Sequence, residues 1–342
     1  MTYAVISNLD LDYWFNKHPE AREVRPAYAY AEVVKDFFHG EKADRGALLP
    51  WSKTHQNIKL RPGEVSIWAG VNGHGKSMVL NHVILDVLTQ GERACIASFE
   101  MKPERTMGRM SRQAVGVNQP SPQAIDDFHE WTDGKLWLYD KQGTAKPKEI
   151  LAVLRYCSYG LMHRGTKAPI THFVIDSLMK CGIGEDDYNG QKAFVDELCA
   201  HARDSGMHIH LVAHSRKTES ERKVVDKFDV KGSGSITDQV DNVFTVWRNK
   251  RKEDEAQKQG NQDAEILKEP DCLLICSKQR NGEWEGKIGL FFHKASLQYT
   301  AIEGRPIPYV ESRTAAAHPS HQPGVCSFDD FAPGEARQGQ AG

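Results

Sequence analysis

The stretch Gly63 to Ser77, GEVSIWAGVNGHGKS, narrows most what this chain can fold into. From Gly63 the stretch is an alternating strand, and it runs into Gly70, Val71, Asn72, Gly73, His74, Gly75, Lys76 and Ser77 at the spacing of a loop that wraps a nucleoside triphosphate. Each part has a chemical reason. Glycines let backbone N–H groups turn inward around phosphate oxygens, a lysine reaches the β- and γ-phosphates, and a hydroxyl is offered to Mg²⁺. After Lys76 the apolar residues Val79, Leu80, Val83, Ile84, Val87 and Leu88 recur at helical spacing, so the loop opens a helix whose N-terminus faces the anion. The strand before and the helix after separate this pattern from a chance glycine-rich turn.

The rest of the chain supplies the sheet that such a loop needs. Arg93 to Phe99, Lys135 to Tyr139, His172 to Asp176 and His208 to His214 read as short buried strands. Helical patterns lie between them, from Pro103, around Ile150 to Leu161, and near Phe194 to Ala202. Strands alternating with helices predict an α/β fold, a parallel sheet covered on both faces. After Gly234 the pattern changes to strands at Val240 to Trp247, Cys272 to Lys278, Gly286 to Phe292 and Ser296 to Ala301, predicting an antiparallel C-terminal part. Lys252 to Lys268 reads as a charged, solvated loop, and His39 to Leu60 as a polar connector. Ahead of the connector, Pro26 to Phe38 puts Tyr30, Val33, Val34, Phe37 and Phe38 on one helical face, to be buried on its own domain or on a neighbouring subunit. The expected division is an N-terminal segment with a linker helix over 1–59, an ATPase core over 60–310, and a disordered tail over 311–342.

Composition excludes several classes. A net charge of −2 over 342 residues argues against a bulk-basic nucleic-acid binder but leaves room for a local basic patch. The seven cysteines contain no C-x-x-C pair, which supports neither a zinc ribbon nor a disulfide framework. There is no apolar run of membrane-spanning length, and Met1 to Tyr13 carries Asp10 and Asp12 where a signal peptide would be basic and then apolar. A cytoplasmic protein of a bacterial or phage-infected cell, with no membrane partner, is expected.

Several residues carry candidate chemistry. Asp176 ends an apolar strand, where a carboxylate can hold Mg²⁺ together with Ser77. Ser177 follows it rather than a second carboxylate, so the base that activates water has to come from another strand. Glu100, closing the strand expected beside that of Asp176, is the candidate. His214 closes the next strand and can sense the γ-phosphate. Lys278 and Arg280 follow a buried strand and read either as a solvated pair or as cations supplied to a phosphoryl group in trans. Between Ser215 and Gly234, the basic residues Arg216, Lys217, Arg222, Lys223, Lys227 and Lys231 face four acidic ones, a surface loop or a loop that grips phosphates.

Taken together, LRPGEVSIWAGVNGHGKS, ASFEM, HFVIDSL, MHIHLVAHSRK, GSGSITDQVDNVF and SKQRNG followed by GKIGLFFHKASLQY resemble, in order, the ring helicases of the DnaB type. They are most like the branch containing the mitochondrial helicase Twinkle and the phage primase-helicases. The resemblance covers about Leu60 to Tyr299 and implies a RecA-like P-loop ATPase core. It assigns ATP or another NTP and Mg²⁺ to Lys76, Ser77 and Asp176, the base to Glu100, the sensor to His214, and a finger reaching a neighbour's ATP to Arg280 with Lys278. Arg216, Lys217, Lys223, Lys227 and Lys231 fall in the loop that lines the central channel. The implied function is an ATP-dependent replicative DNA helicase. It forms a hexameric or heptameric ring, moves 5′ to 3′ on single-stranded DNA, unwinds forked DNA, and has primase, polymerase and single-strand-binding protein as candidate partners. The front of the chain departs from the family, with no primase or zinc module expected ahead of the motor. The rivals are a plasmid-type hexameric helicase of the same core, and a RecA-like, ATP-switched DNA-binding protein that forms a recombination filament or acts as a loader without unwinding.

Overall fold

The computed structural model describes residues 25–39, 46–215, 234–260 and 262–310. It divides into two compact units, residues 1–45 and 46–342. The described part of the first is a 3₁₀ turn, Ala27–Tyr30, running into α1, Ala31–His39, on which Val33 and Phe38 are exposed.

The second unit is built on one mixed sheet. Its strands are β1 (Val65–Ala69), β2 (Ala94–Ser98), β3 (Leu136–Leu138), β6 (His172–Asp176), β7 (His208–Val212), β8 (Asn242–Arg248), β9 (Cys272–Gln279), β10 (Gly286–His293) and β11 (Gln298–Thr300). A separate antiparallel hairpin pairs β4 (Leu161–His163) with β5 (Thr166–Ala168). The nine strands lie in the order β11-β10-β9-β8-β1-β7-β6-β2-β3. From β8 to β3 every pairing is parallel, and β8-β9-β10-β11 is antiparallel. Strands β1, β2, β6, β7 and β8 are buried along their whole length, so β1, although it reads in sequence as an alternation, is covered on both faces like the others.

Helices cover both faces. On one, α2 (Lys76–Thr89) is buried nearly all round, between the sheet and α3 (Pro103–Val115), with α4 (Pro122–Thr132) beyond. On the other lie α5 (Pro147–Ser158) and α6 (Tyr188–Ser205). Local signals set their ends: Pro103, Pro122 and Pro147 open helices where no N–H is needed, Ser121 accepts from Ala124 N, Asp187 from Gly190 N, and Gly116 and Gly206 close helices in the left-handed region.

Two expectations are corrected. Residues 46–60 are not a polar connector: Leu49, Trp51, Ile58 and Leu60 enter the core, and Trp51 Nε1 donates to Tyr299 O at 2.6 Å, strapping this segment to β11. The charged stretch after β8 is not a loop either. It folds as α8 (Lys250–Gln257) and α9 (Ala264–Lys268), started by the Asn249 and Asp263 side chains. In it Lys252 is buried against Asp271 at 2.8 Å, and Ile266 supplies the apolar anchor. A further helix, α7 (Gly234–Gln239), precedes β8. Among the described residues no helix is long and apolar enough to cross a membrane.

The core face under α2 contains three stacked histidines, His172, His208 and His210, with ring centroids 4.7–5.4 Å apart. Their hydrogen bonds define one neutral arrangement. Trp68 Nε1 can only donate, so His210 Nδ1 accepts from it at 3.1 Å and His210 Nε2–H donates to His172 Nδ1 at 3.1 Å. His208 Nδ1–H donates to Arg61 O at 2.6 Å, and its Nε2 accepts from Ser66 Oγ at 2.8 Å. Burial pushes all three rings below their usual 6.5, His208 to about 4. A depressed folded value means that the unfolded chain binds protons first, so stability is full above about pH 6.5 and falls as pH drops from there toward 4. At pH 5.5 the loss from His208 alone is roughly 1 kcal/mol, and His172 and His210 add to it in the same direction. Denaturant unfolding at pH 7.5 and pH 5.5 checks this, and equal midpoints would show that the rings are not held neutral.

Candidate functional site

The site is assembled where parallel strands β1, β2, β6 and β7 end. β1 runs into the loop 70–77 because two of its residues must be glycine. At Gly70, with φ 153°, a Cβ would lie 2.5 Å from Val246 O of the neighbouring strand; at Gly75, with φ 84°, it would lie 2.4 Å from the Tyr299 hydroxyl. Asn72 and Gly73 form the exposed tip, and α2 starts at Lys76 with its N-terminus under the loop. The His74 side chain turns the other way. It is fully buried, its Nδ1 accepts from Arg248 N at 3.3 Å, and burial, then Lys76, holds the ring down at about 4.

Lys76 is itself buried. Its Nζ donates to Gly70 O at 3.0 Å, to Val71 O at 3.1 Å and to His214 Nδ1 at 3.3 Å. Since His214 Nδ1 accepts, the ring proton sits on Nε2, which faces Glu100 Oε1 at 3.5 Å, the long end of a hydrogen bond. Ser177 Oγ donates to the same Glu100 oxygen at 2.8 Å. Hydrogen bonding to His214 first, and to Ser177, pushes the Glu100 carboxyl down to about 2 against the opposing effect of burial. Asp176, paired in register with Ser98 just before Glu100, goes the other way: burial raises it, although Ser77 Oγ donates to its Oδ2 at 2.6 Å. Side by side, one carboxylate is an ionised proton acceptor and the other is buried against a hydroxyl.

The Ser77 hydroxyl and Asp176 carboxylate are hard oxygen donors that fit Mg²⁺. Among the described residues no group of three or more His, Cys, Asp or Glu forms a metal cage, so such an ion would take its remaining ligands from phosphates and water.

Lys76, Ser77, Glu100, Asp176 and His214 are thus brought together. Lys278 and Arg280 are not with them. Arg280 follows β9, whose Gln279 pairs with Asn242 at the start of β8, so it stands at the end of the sheet where β1 begins, about 16 Å of strand from Gly70. There Lys278 Nζ donates to Thr237 O at 2.8 Å and Asp238 O at 2.7 Å, and Arg280 Nη2 donates to Asp238 O at 3.2 Å and Gln239 O at 2.9 Å, capping the C-terminus of α7. Arg216, Lys217, Lys223, Lys227 and Lys231 lie outside the described residues. Sequence reasoning misses Ser177 as the donor that holds Glu100, and Arg109 on α3, which lies in electrostatic range of Asp176. The one available signal for the latter was the spacing of Arg105, Arg109 and Arg112, which puts three cations on one helical face after Glu100.

Fold and site together define a P-loop ATPase with a RecA-like core, a parallel sheet extended by antiparallel C-terminal strands. Residues 53–220 match a family model described as an AAA domain, a class that binds nucleoside triphosphates. The chain is similar to the ATPase domain of G40P, with a TM-score of 0.64 and 16% identity over 82% of this chain and 100% of that one. It is also similar to a DnaB-like replicative helicase, described with its interactions with primase, at a TM-score of 0.63 and 14% identity over 85% of this chain and 73% of that one. At these identities the likeness is one of fold.

Burial pulls the Lys76 ammonium down to about 8, with Asp176 and Glu100 resisting. A triphosphate beside it would raise that value, so binding should take up a proton wherever the free side chain has lost one. Affinity for a non-hydrolysable ATP analogue should therefore fall as pH rises above about 8, by up to tenfold per unit, and calorimetry in buffers of different ionisation enthalpy should show proton uptake. Lys76→Met should bind weakly with no such pH dependence. An unchanged affinity to pH 9.5 in the unaltered protein would mean that Lys76 stays charged throughout.

Proposed function

We propose that this chain is the motor of a ring-forming, ATP-dependent DNA helicase that moves 5′ to 3′ along single-stranded DNA and unwinds forked duplex ahead of it. The observation that carries the reading is the separation of the two sets of cations. Lys76 sits in the chain's own phosphate loop, while Arg280 and Lys278 stand at the opposite end of the sheet, too far to reach it. A second copy, joined head to tail, would bring its Arg280 to the first copy's γ-phosphate, and repetition of that contact closes a ring. In this reading Ser77 and Asp176 hold Mg²⁺ on the phosphates. Glu100 takes the proton of the attacking water, His214 links Glu100 to Lys76 and senses the γ-phosphate, and Arg280 with Lys278 neutralises charge developing on the transferred group.

The strand is assigned to the loop carrying Arg216, Lys217, Lys223, Lys227 and Lys231, which starts two residues after His214 and ends at α7. Phosphate binding and strand binding would then share one connected segment. Similarity to a DnaB-like helicase described with its primase makes primase the first partner to test. A RecA-like filament or a loader uses the same head-to-tail contact without closure. Electron microscopy with an ATP analogue and single strands separates them, closed rings supporting the helicase and continuous filaments the alternative.

A strand-displacement assay on a forked duplex is the direct test, and ATP hydrolysis without displacement would reduce the reading to a strand-switched ATPase. Arg280→Ala should assemble and bind ATP but hydrolyse it at least a hundredfold more slowly. Glu100→Gln should be equally slow. Mixed, the two should regain activity at interfaces that join Glu100 of one subunit to Arg280 of the next. No recovery in rings shown by tagged pull-down to be mixed would remove the trans assignment.

Neutralising Lys223, Lys227 and Lys231 together should weaken single-strand binding and flatten the slope of log affinity against log salt, with basal hydrolysis retained. An unchanged slope would leave the loop as solvated surface.

A further inference from the structure

Asp241, between α7 and β8, uses both carboxylate oxygens and both backbone polar groups on two segments, the start of β1 and the residues that follow β9. Its Oδ2 accepts from Val65 N at 2.9 Å, its N donates to Val65 O at 3.0 Å, and its own O accepts from Arg280 N at 2.8 Å. Its Oδ1 faces Arg280 Nη1 at 3.3 Å. The residue is more than nine-tenths buried, while the Arg280 side chain is 45% exposed. A buried carboxylate is costly unless its charge and lone pairs are met, and here they are met by one backbone N–H of β1 and by the guanidinium.

The same guanidinium gives Nη2 to Asp238 O and Gln239 O. Three oxygens from the α7–β8 corner therefore face the guanidinium, two accepting from Nη2 and one paired with Nη1. An arginine on the turn after β9 would otherwise sample many rotamers, at an entropic cost paid each time it engaged a ligand. No rule read from sequence marks Asp241, because its role depends on β1 and β9 meeting it from either side of β8.

We propose that Asp241 is the positioning residue for Arg280: it anchors the guanidinium to the strand that carries the phosphate loop, so that the arginine is presented in a fixed orientation to the next subunit's nucleotide. This rests on the assignment of Arg280 as a trans-acting cation. Asp241 itself touches no nucleotide, and its effect passes entirely through Arg280.

The test uses the full chain with Asp241→Asn, which keeps an oxygen for Val65 N but removes the charge that faces Arg280. The variant should fold, assemble and bind an ATP analogue as before, with kcat lowered about tenfold or more and KM little changed. In the Arg280→Ala background the same change should cost nothing further. Mixed with Glu100→Gln subunits it should recover activity, because its own phosphate loop and Glu100 are intact and the neighbour supplies a correctly held Arg280.

Each alternative has its own signature. Additive losses in Asp241→Asn with Arg280→Ala, or no recovery on mixing, would overturn the proposal and place Asp241 in the support of its own phosphate loop. A rise in kcat would overturn it in favour of a latch that holds Arg280 back. Full hydrolysis by Arg280→Ala alone would instead refute the trans assignment, and the proposal with it. If Asp241→Asn fails to fold, Asn281→Ala supplies a control for damage at that end of the sheet. Asn281 Nδ2 donates to Glu64 Oε1 at 2.8 Å next to Arg280, so loss of the fold there too would assign the corner to stability and overturn a specific positioning role.

Discussion

Strand β1 has no free edge. Ile67 is paired with Leu211 on one side and Val243 on the other, and all five of its residues are buried. A strand held this way cannot shift without breaking two ladders, so whatever hangs from its ends is placed to within the tolerance of the sheet. At its C-terminal end the backbone must leave the sheet past Val246 O, which only glycine allows at position 70, and enter a helix buried nearly all round. The loop is therefore fixed at both ends by packing before any ligand contributes. That rigidity is what lets an ammonium be buried at Lys76, with carbonyls of its own loop and a histidine ring replacing water.

The two carboxylates beyond the loop show how position divides chemistry between identical groups. Glu100 and Asp176 end adjacent parallel strands, close enough for each charge to act on the other. Donors gather on Glu100, from Ser177 and His214, and keep it ionised; burial dominates at Asp176 and works against its charge. Two neighbouring groups pushed in opposite directions can serve as proton acceptor and as metal ligand without competing, and a cation bound at Asp176 would remove the penalty that burial imposes.

What the sequence makes legible follows from range. Runs such as His172 to Asp176 and the glycine-rich loop declare themselves because their patterns are local, and the order of strands and helices then implies the parallel sheet. Residues 252–268 mislead because charge is taken as a sign of solvent. Burial of Lys252 depends on Asp271, which is distant in sequence but adjacent in the fold, and the Asn249 and Asp263 caps are visible only once helices are considered. Residues 46–60 mislead differently: Pro50 and Gly46 break periodicity, yet Trp51 is fixed by Tyr299 O, almost the full length of the core away. The histidine stack is not legible, since only cross-strand register can show that His210 bonds His172 and that Trp68, Ser66 and Arg61 O supply further partners to His210 and His208. Within the site, Glu100 is legible as a strand end, but Ser177, which acts on it from the next strand, is not.

The end of the sheet opposite the loop carries a linked set of polar side chains, and that has a mechanical consequence. Glu64 accepts from Asn242 and Asn281, Asn242 donates on to Ser66, Ser66 bonds His208, and His208 donates to Arg61 O. A linked set of buried hydrogen bonds tolerates displacement poorly, because shifting one member leaves several groups unpaired in a low-dielectric interior. An apolar contact at the same place could slide with little loss. The segments tied in include the turn before β1, the start of β8 and the residues that follow β9, so this end of the chain should move with the strand that carries the phosphate loop. If neighbouring copies meet through it, a change at one nucleotide would reach the next as motion of a whole subunit core rather than as rearrangement of a loop.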